Sequence, residues 1–215
     1  MDRGSDCPGV AQAGIPACAL TCWLPMTVPE VFRGVTTALD QAGIAYMLSG
    51  SFASAYYGAS RSTKDIDLVI ETMPAKLEAL IRNLPREEYY VELSAALEAH
   101  RRESLFNVID LATGWKIDLI IRKTRPFSLE EFSRRRQVDF QGVQMFVASP
   151  EDIILAKLEW SKISQSQRQL EDVAAILRLR SESLDRLYLK KWIADLHLDS
   201  EWGSVLKMTG LSPEL

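Results

Sequence analysis

The chain has 215 residues, a formal net charge of −4 at neutral pH and a hydrophobic fraction of 47%. This composition can supply a buried core and excludes wholesale disorder, and the length suits one domain or one domain with a small helical appendage. The weakly acidic balance argues against a protein that coats nucleic acid by charge alone. No apolar run approaches the roughly 20 residues that span a bilayer, so we expect no membrane partner.

The first 25 residues differ in character from the rest. They are rich in glycine, alanine and proline, lack a hydrophobic period, and hold all three cysteines of the chain, Cys7, Cys18 and Cys22. We therefore expect residues 1–25 to form a flexible extension. Because the remaining chain has no cysteine, a disulfide framework is excluded there and a reducing, cytoplasmic setting is predicted.

Residues 26–148 mix helical and strand patterns. Helices are predicted at 28–39, 52–57 and 74–84, and strands at 44–48, 65–71, 106–111, 116–122, 138–140 and 143–147. The last four strands form two predicted hairpins, with turns at 112–114 and 141–142. Between the helix at 74–84 and the first hairpin, the ambiguous segment 89–104 favours a short strand and then a helix.

Residues 149–215 carry only helical periodicity, with helices predicted at 150–163, 167–179 and 183–197 and a short last one. The sequence therefore predicts an α+β fold in which a mixed sheet is flanked by helices and followed by a C-terminal helical bundle. We expect the core to span residues 26–148 and the helical region to span residues 149–215.

Two aspartates mark the strand at 65–71. Asp65 and Asp67 are two positions apart, so both carboxylates point to the same face, while Ile66 and Leu68 point into the core. Two like charges at about 4 Å repel by roughly 4 kcal/mol at an effective dielectric constant near 20. Such a pair is expected to share a proton or to hold a divalent cation, and oxygen ligands suit Mg²⁺ or Mn²⁺.

A third aspartate, Asp118, interrupts the otherwise apolar segment Ile117–Ile121. A charge in such a strand is costly unless it faces a site. If this strand neighbours the one that bears Asp65 and Asp67, three carboxylates converge. That arrangement can hold two metal ions about 3.5–4 Å apart that act on a phosphoryl group.

Gly50 and Ser51 precede the aspartate pair at a predicted strand-to-helix turn. Glycine lets a ligand approach the backbone closely, the helix start offers N–H groups to a phosphate, and Ser51 adds a hydroxyl. One turn could thus hold a triphosphate while the next strand holds its metal ions.

These residues resemble the polymerase-β-type nucleotidyltransferase superfamily, whose hallmark is Gly-Ser followed by Asp-x-Asp and a later single Asp. Thirteen residues separate Ser51 from Asp65 here, with Arg61 and Thr63 among them. That longer form is similar to the abortive-infection toxin-type (AbiEii-like) nucleotidyltransferases and their uncharacterised relatives. Downstream, Lys157 and the later pair Arg168 and Asp172 are similar to the lysine helix and the Arg…Asp helix of that group, although Glu171 stands where the group has lysine.

The resemblance implies a metal-dependent enzyme that moves a nucleoside monophosphate from a nucleoside triphosphate (NTP), such as ATP, to an acceptor hydroxyl on tRNA, on a protein or on a small molecule. Asp65, Asp67 and Asp118 would hold Mg²⁺ or Mn²⁺, and Asp118 would also help to activate the hydroxyl. The nucleotide would contact a further set, Gly50, Ser51, Arg61, Thr63 and Lys157. A role as the toxin of a toxin–antitoxin or phage-defence system, with a cognate antitoxin as partner, is also implied.

Most of these residues also have ordinary structural interpretations, which stay open at this point. Ser51 could be a helix N-cap, Thr63 could fix its loop, and Lys157 could extend along an amphipathic helix towards solvent. Arg168 and Asp172 could form a helix-surface pair at i, i+4 spacing. The arginines at 134–136 could contact RNA, and the tryptophans of the helical tail, Trp160 included, are best explained by core packing.

Two other functions compete with the enzyme. One is a catalytically inactive nucleotide-binding protein, or an antitoxin-like partner, built on the same fold; the departure at Glu171 favours it. The other is a structural interaction domain, which requires Asp118 to lie far from Asp65 and Asp67.

Overall fold

The computed structural model describes residues 28–59 and 62–212. Over these ranges the chain forms a seven-stranded mixed sheet with nine α-helices, so the predicted fold class is confirmed. The predicted N-terminal extension, the three cysteines and Arg61 lie outside the described residues. No helix in the described part is long and apolar enough to cross a membrane.

The helices and strands alternate irregularly along the first part of the chain. In order they are α1 (Val28–Gln41), β1 (Ala45–Leu48), α2 (Gly50–Tyr56), β2 (Asp65–Glu71), α3 (Pro74–Asn83), β3 (Tyr89–Tyr90), α4 (Leu93–Arg101), β4 (Leu105–Asp110), β5 (Lys116–Ile121), α5 (Pro126–Ser133), β6 (Arg136–Phe140) and β7 (Val143–Val147). Both predicted hairpins, β4–β5 and β6–β7, are antiparallel pairs. Helix α5 was missed from the sequence because its eight residues show little hydrophobic period.

Four helices follow the sheet, as the helical periodicity of the tail predicts. They are α6 (Pro150–Ser164), α7 (Gln167–Arg180), α8 (Arg186–Asp195) and α9 (Asp199–Thr209), with one 3₁₀ turn at Ser181–Ser183. Helix α6 is capped by Ser149, whose hydroxyl accepts a hydrogen bond from the backbone N–H of Asp152. It contacts α2, α7, α8 and α9, and so joins the tail to the sheet region.

The sheet order is β3-β4-β5-β2-β1-β7-β6. Strand β2 is central: it runs antiparallel to β1 and parallel to β5. Its odd and even positions separate cleanly, since Ile66, Leu68 and Ile70 are fully buried while the aspartates face the other side. The apolar face supplies the core, and the opposite face of β2 and β5 is left to carry polar groups.

Glu131 of α5 is 8% exposed, although it is a carboxylic acid. Burial, with a second contribution from Asp152, raises the pKa of Glu131 to about 8. Because the folded protein then holds a proton that the unfolded chain loses near its ordinary pKa of 4.5, this group stabilises the fold fully at acidic pH, and its contribution is lost as pH rises through about 8.

We therefore expect the E131Q variant to gain stability relative to the wild type by up to about 1.4 kcal/mol per pH unit between pH 5 and pH 8. Urea unfolding at several pH values measures this difference. E87Q, which makes the same change at an exposed position, is the matched control. Parallel curves for the E131Q variant and the wild type would contradict the assignment.

Candidate active site

The carboxylates of Asp67 and Asp118 lie side by side on neighbouring strands. The parallel pairing of β2 and β5 sets Asp67 opposite Asp118 and Asp65 opposite Lys116. Adjacent strands are about 4.8 Å apart, so the two paired aspartates face the same space. The condition on which the structural-domain interpretation depends, a distant Asp118, is therefore not met.

Burial, followed by the neighbouring Asp118 charge, raises the pKa of Asp67 to about 6. The backbone N–H of Ser51 opposes this shift by donating a hydrogen bond to the Asp67 carboxylate. Asp118 is also largely buried, and one of its oxygens accepts a hydrogen bond from the side-chain amide of Asn107, its register partner on β4. The two carboxylates thus form a crowded, partly desolvated acidic pair.

Asp65 lies at the solvent end of the same row. Its carboxylate is 3.5 Å from the Lys116 ammonium, which is also 3.2 Å from Asp118. Within residues 28–59 and 62–212, no three histidine, cysteine, aspartate or glutamate side chains are gathered tightly enough to make a ready metal site. The pair Asp67–Asp118 is assembled, and Asp65 is instead held by a lysine.

The turn at Gly50 is fitted to Asp67. Gly50 has a φ of +59°, and a Cβ atom at this position would overlap the Asp67 carboxylate. The backbone N–H of Ser49 also donates to the Asp67 carbonyl oxygen at 2.9 Å. Glycine is required here both by its left-handed backbone and by the close approach of an acidic side chain.

A cleft of about 520 Å³ collects most of the predicted site residues, but Asp172 lies outside its lining. Its lining includes Gly50, Ser51, Thr63, Asp65, Asp67, Asp118, Lys157 and Arg168. Thr63 also accepts a hydrogen bond from the Asp65 backbone N–H at 3.3 Å, so it fixes the entry to β2 as well. The acidic strands form the floor of the cleft, and helices α6 and α7 supply the facing wall.

Lys157 is not a solvent-directed lysine. It is 4% exposed and donates to Asp172 at 2.7 Å and to Gln169 at 3.0 Å, both on α7. Asp172 therefore pairs with a lysine of the preceding helix, and because it is buried the alternative of a helix-surface pair does not hold for it. This cross-helix pair aligns α6 with α7 at the cleft wall.

The arginine-rich segment is largely engaged within the protein. Arg134 lies 3.2 Å from Glu151 and stacks on the Tyr188 ring, and Arg135 packs over Phe132. Arg125 forms a two-pronged pair with Glu159 at 2.5 and 2.6 Å. These guanidinium groups hold helices and strands together and only Arg136 of the run at 134–136 is exposed, which weakens the support for an RNA-binding face.

Three residues in or beside the site escaped the sequence analysis. Lys116 was detectable, since it lies two positions before Asp118 and so shares its face. Asn107 could be identified only from the β4–β5 register, which sequence spacing alone does not fix. Trp160 was expected in the core, but it is 58% exposed and lines the cleft. The other two tail tryptophans, Trp192 and Trp202, are buried as expected.

Solved structures share this fold at low sequence identity. The antibiotic-resistance factor ANT(2'')-Ia matches with 13% identity and a TM-score of 0.50, over 83% of this chain and 94% of its own. The antigenic nucleotidyltransferase-like protein from Paracoccidioides brasiliensis matches with 19% identity and a TM-score of 0.50, over 85% and 94%. The lincosamide antibiotic adenylyltransferase LnuA, solved with lincomycin bound, has 13% identity and a TM-score of 0.50, over 72% and 99%.

No curated protein matches the chain. A protein-family model does, over residues 41–206, which span β1 to α9 and include the acidic pair, the glycine turn and the lysine helix. The chain thus belongs to the family described as a nucleotidyltransferase of unknown function, DUF6036.

Proposed function

We propose that the protein is a metal-dependent nucleotidyltransferase, which moves a nucleoside monophosphate from an NTP to an acceptor hydroxyl. The observation that carries the proposal is the strand register that sets Asp67 opposite Asp118. The pair lies beside the turn at Gly50, where an added Cβ atom would collide with the Asp67 carboxylate. Two adjacent carboxylates of this kind are unfavourable alone, because burial and mutual repulsion oppose their ionisation. A bound cation removes that cost.

The donor set fits Mg²⁺ or Mn²⁺, since Asp67, Asp118 and the nearby Asp65 offer only carboxylate oxygens. The ion would neutralise the triphosphate and the developing charge on the leaving group. Asp65 would exchange its contact with Lys116 for this role. Gly50, Ser51 and Lys157 would hold the phosphate tail, with Thr63 at the rim, and Arg61 remains a prediction for the same task. Arg168 lines the cleft and Asp172 orients Lys157.

In the reaction, the acceptor hydroxyl attacks the α-phosphorus in line. A new oxygen–phosphorus bond forms as the bond from the α-phosphorus to its bridging oxygen breaks, and pyrophosphate leaves with that electron pair. The hydroxyl proton passes to the Asp118 carboxylate, which the Asn107 amide orients. Positioning and charge stabilisation supply most of the rate enhancement in such transfers.

We expect the melting temperature to rise most when the cognate NTP is added together with Mg²⁺, and less with either one alone, because each ligand bound only by the folded state stabilises it. Thermal-shift measurements with each of the four NTPs test this. Label transfer from an NTP labelled at the α-phosphate to components of a cell extract then tests the chemistry. A protein that binds no NTP in the presence of Mg²⁺ contradicts the proposal.

A second candidate is a nucleotide-binding or antitoxin-like protein without turnover. It is favoured by the internal neutralisation of the site, where Lys116 lies beside Asp65 and Asp118. NTP binding without label transfer would identify it. The resemblance to toxin-type nucleotidyltransferases also suggests a toxin role with a cognate antitoxin. Growth arrest when the protein is expressed in bacterial cells, relieved by co-expression of a neighbouring gene, tests it.

A further inference from the structure

One half of the cleft has no role in the reaction described above. Leu105 of β4 is paired with Ile120 of β5, two positions along the strand from Asp118. Because paired residues share a sheet face, both side chains lie on the same side as the acidic pair, and both line the cleft. Leu105 is 43% exposed. The floor of the cleft is therefore acidic in one part and apolar in the next.

Trp160 belongs to the same cleft and lies on its α6 wall. The bidentate pair between Arg125, just after β5, and Glu159 ties this turn of α6 to the end of the strand that carries Ile120. Trp160 follows Glu159 directly and lines the same cleft with most of its surface exposed. An exposed indole on the wall and an exposed leucine on the floor give the cleft an apolar slot, which favours a flat apolar occupant.

The direction of the reaction places the acceptor in this slot. The Gly50–Ser51 turn follows β1, and the sheet order runs from β1 through β2 and β5 to β4. In an in-line displacement the attacking and leaving oxygens lie on opposite sides of the phosphorus. With the leaving pyrophosphate at the glycine turn, the attacking hydroxyl comes from the β4 side, where Leu105 and Ile120 lie.

The charges of the cleft restrict the acceptor further. Among its described lining residues the carboxylates are Asp65, Asp67 and Asp118, all assigned to the metal site, and the cationic side chains are Lys157 and Arg168. No acidic side chain of that lining is left to pair with a polycation. The cleft volume of about 520 Å³ lies within the range of small-molecule sites.

We propose that the acceptor is a small neutral or anionic molecule with a flat apolar ring. The inference rests on the proposed function. The ring lies between Trp160 and the pair Leu105–Ile120, and a hydroxyl reaches Asp118. Asp118 and Ile120 are two positions apart on β5, which is about 6.6 Å along the strand and close to the length of one ring. A single molecule can therefore contact the slot and Asp118 at the same time.

The experiment uses the full chain, the NTP selected by thermal shift, labelled at its α-phosphate, and Mg²⁺. A cell extract is separated by ultrafiltration into macromolecules and small molecules, and the small molecules are divided by charge on ion exchangers. We expect label to enter products from the neutral or anionic small-molecule fractions. Label that enters polycations, RNA or protein overturns the inference, while leaving the proposed function intact.

The variants W160A and L105A test the slot itself. We expect each to raise the KM for the labelled acceptor fraction about tenfold and to leave the KM for the NTP unchanged, because stacking and apolar contacts to the ring are lost. I163A is the matched control, since Ile163 is an exposed apolar residue of the same helix outside the cleft. Equal acceptor KM values for W160A and I163A overturn the inference.

Binding of the NTP with Mg²⁺, measured by calorimetry on the wild type, distinguishes a failure of the proposed function from a failure of the acceptor inference. If the NTP is not bound, or is bound but transferred to no fraction, the proposed function has failed and the slot has no acceptor to hold. If transfer occurs, the distribution of label and the W160A result decide the inference alone.

Discussion

Replacing Asp67 by asparagine is expected to reduce nucleotidyl transfer on the order of 10³-fold while leaving the metal-free protein at least as stable as the wild type. The activity falls because the variant loses one of the two adjacent carboxylates proposed to hold the metal ion. The stability is retained because burial and the Asp118 charge raise the pKa of Asp67 to about 6 from an ordinary value of 3.8.

The sign of the stability effect follows from that shift. An acid with a raised pKa in the folded state stabilises the fold fully below its ordinary pKa, and the contribution is lost as pH rises through about 6. At pH 7.5 the ionised Asp67 therefore costs the wild type about 3 kcal/mol relative to a neutral side chain of the same shape. Below pH 4 the two proteins should have similar stability.

Melting temperatures at pH 4 and pH 7.5, each with and without Mg²⁺, measure these effects beside a label-transfer assay. Mg²⁺ alone should stabilise the wild type more than D67N. The exposed Asp195 offers the matched control, because D195N should change neither activity nor its Mg²⁺ response. Full transfer activity in D67N would show that Asp67 has no part in the reaction.

Replacing Gly50 by alanine is expected to lower both stability and activity strongly. A left-handed backbone costs an alanine about 1–2 kcal/mol, and the new Cβ would also displace the Asp67 carboxylate and disturb the Ser51 N–H bond to it. We expect a fall in melting temperature of at least about 4 °C and a loss of transfer of more than about 10²-fold.

Gly114 provides a matched control for this substitution. Its φ is +72°, close to the +59° of Gly50, but a Cβ there would meet nothing within 4 Å. G114A therefore carries the backbone cost without the collision, so it should lose stability and keep its activity. If G50A keeps its activity as G114A does, the close approach of the turn to Asp67 has no part in the reaction.

Much of the fold was predictable because local patterns decide it. The alternation in Asp65–Glu71 fixed which side chains face the core, and the turns at Gly114 and Gly142 marked both hairpins. The adjacency of Asp118 to Asp67 could be expected only conditionally, because it depends on a parallel pairing between strands separated by two helices and two strands. The division into three regions stays a prediction.

The facing wall of the cleft was harder to predict than its floor. Whether Lys157 extends into solvent or into a buried pair depends on where α7 packs, and periodicity does not give that position. Trp160 shows the same difficulty in reverse, since an aromatic residue on an amphipathic helix is usually buried. Helix packing, rather than local sequence, determines both side chains.

The position of β2 inside the sheet has a consequence for which parts of the cleft can open locally. Its backbone is hydrogen-bonded on both sides, by β1 and β5, so the acidic floor can open only when the sheet itself comes apart. In the opposite wall, helix α6 ends at Gln165, a left-handed residue in the short connection to α7. Deuterium uptake should therefore be slow at the aspartates and fast at this connection, and any closure over a bound nucleotide would occur by movement of the helical side.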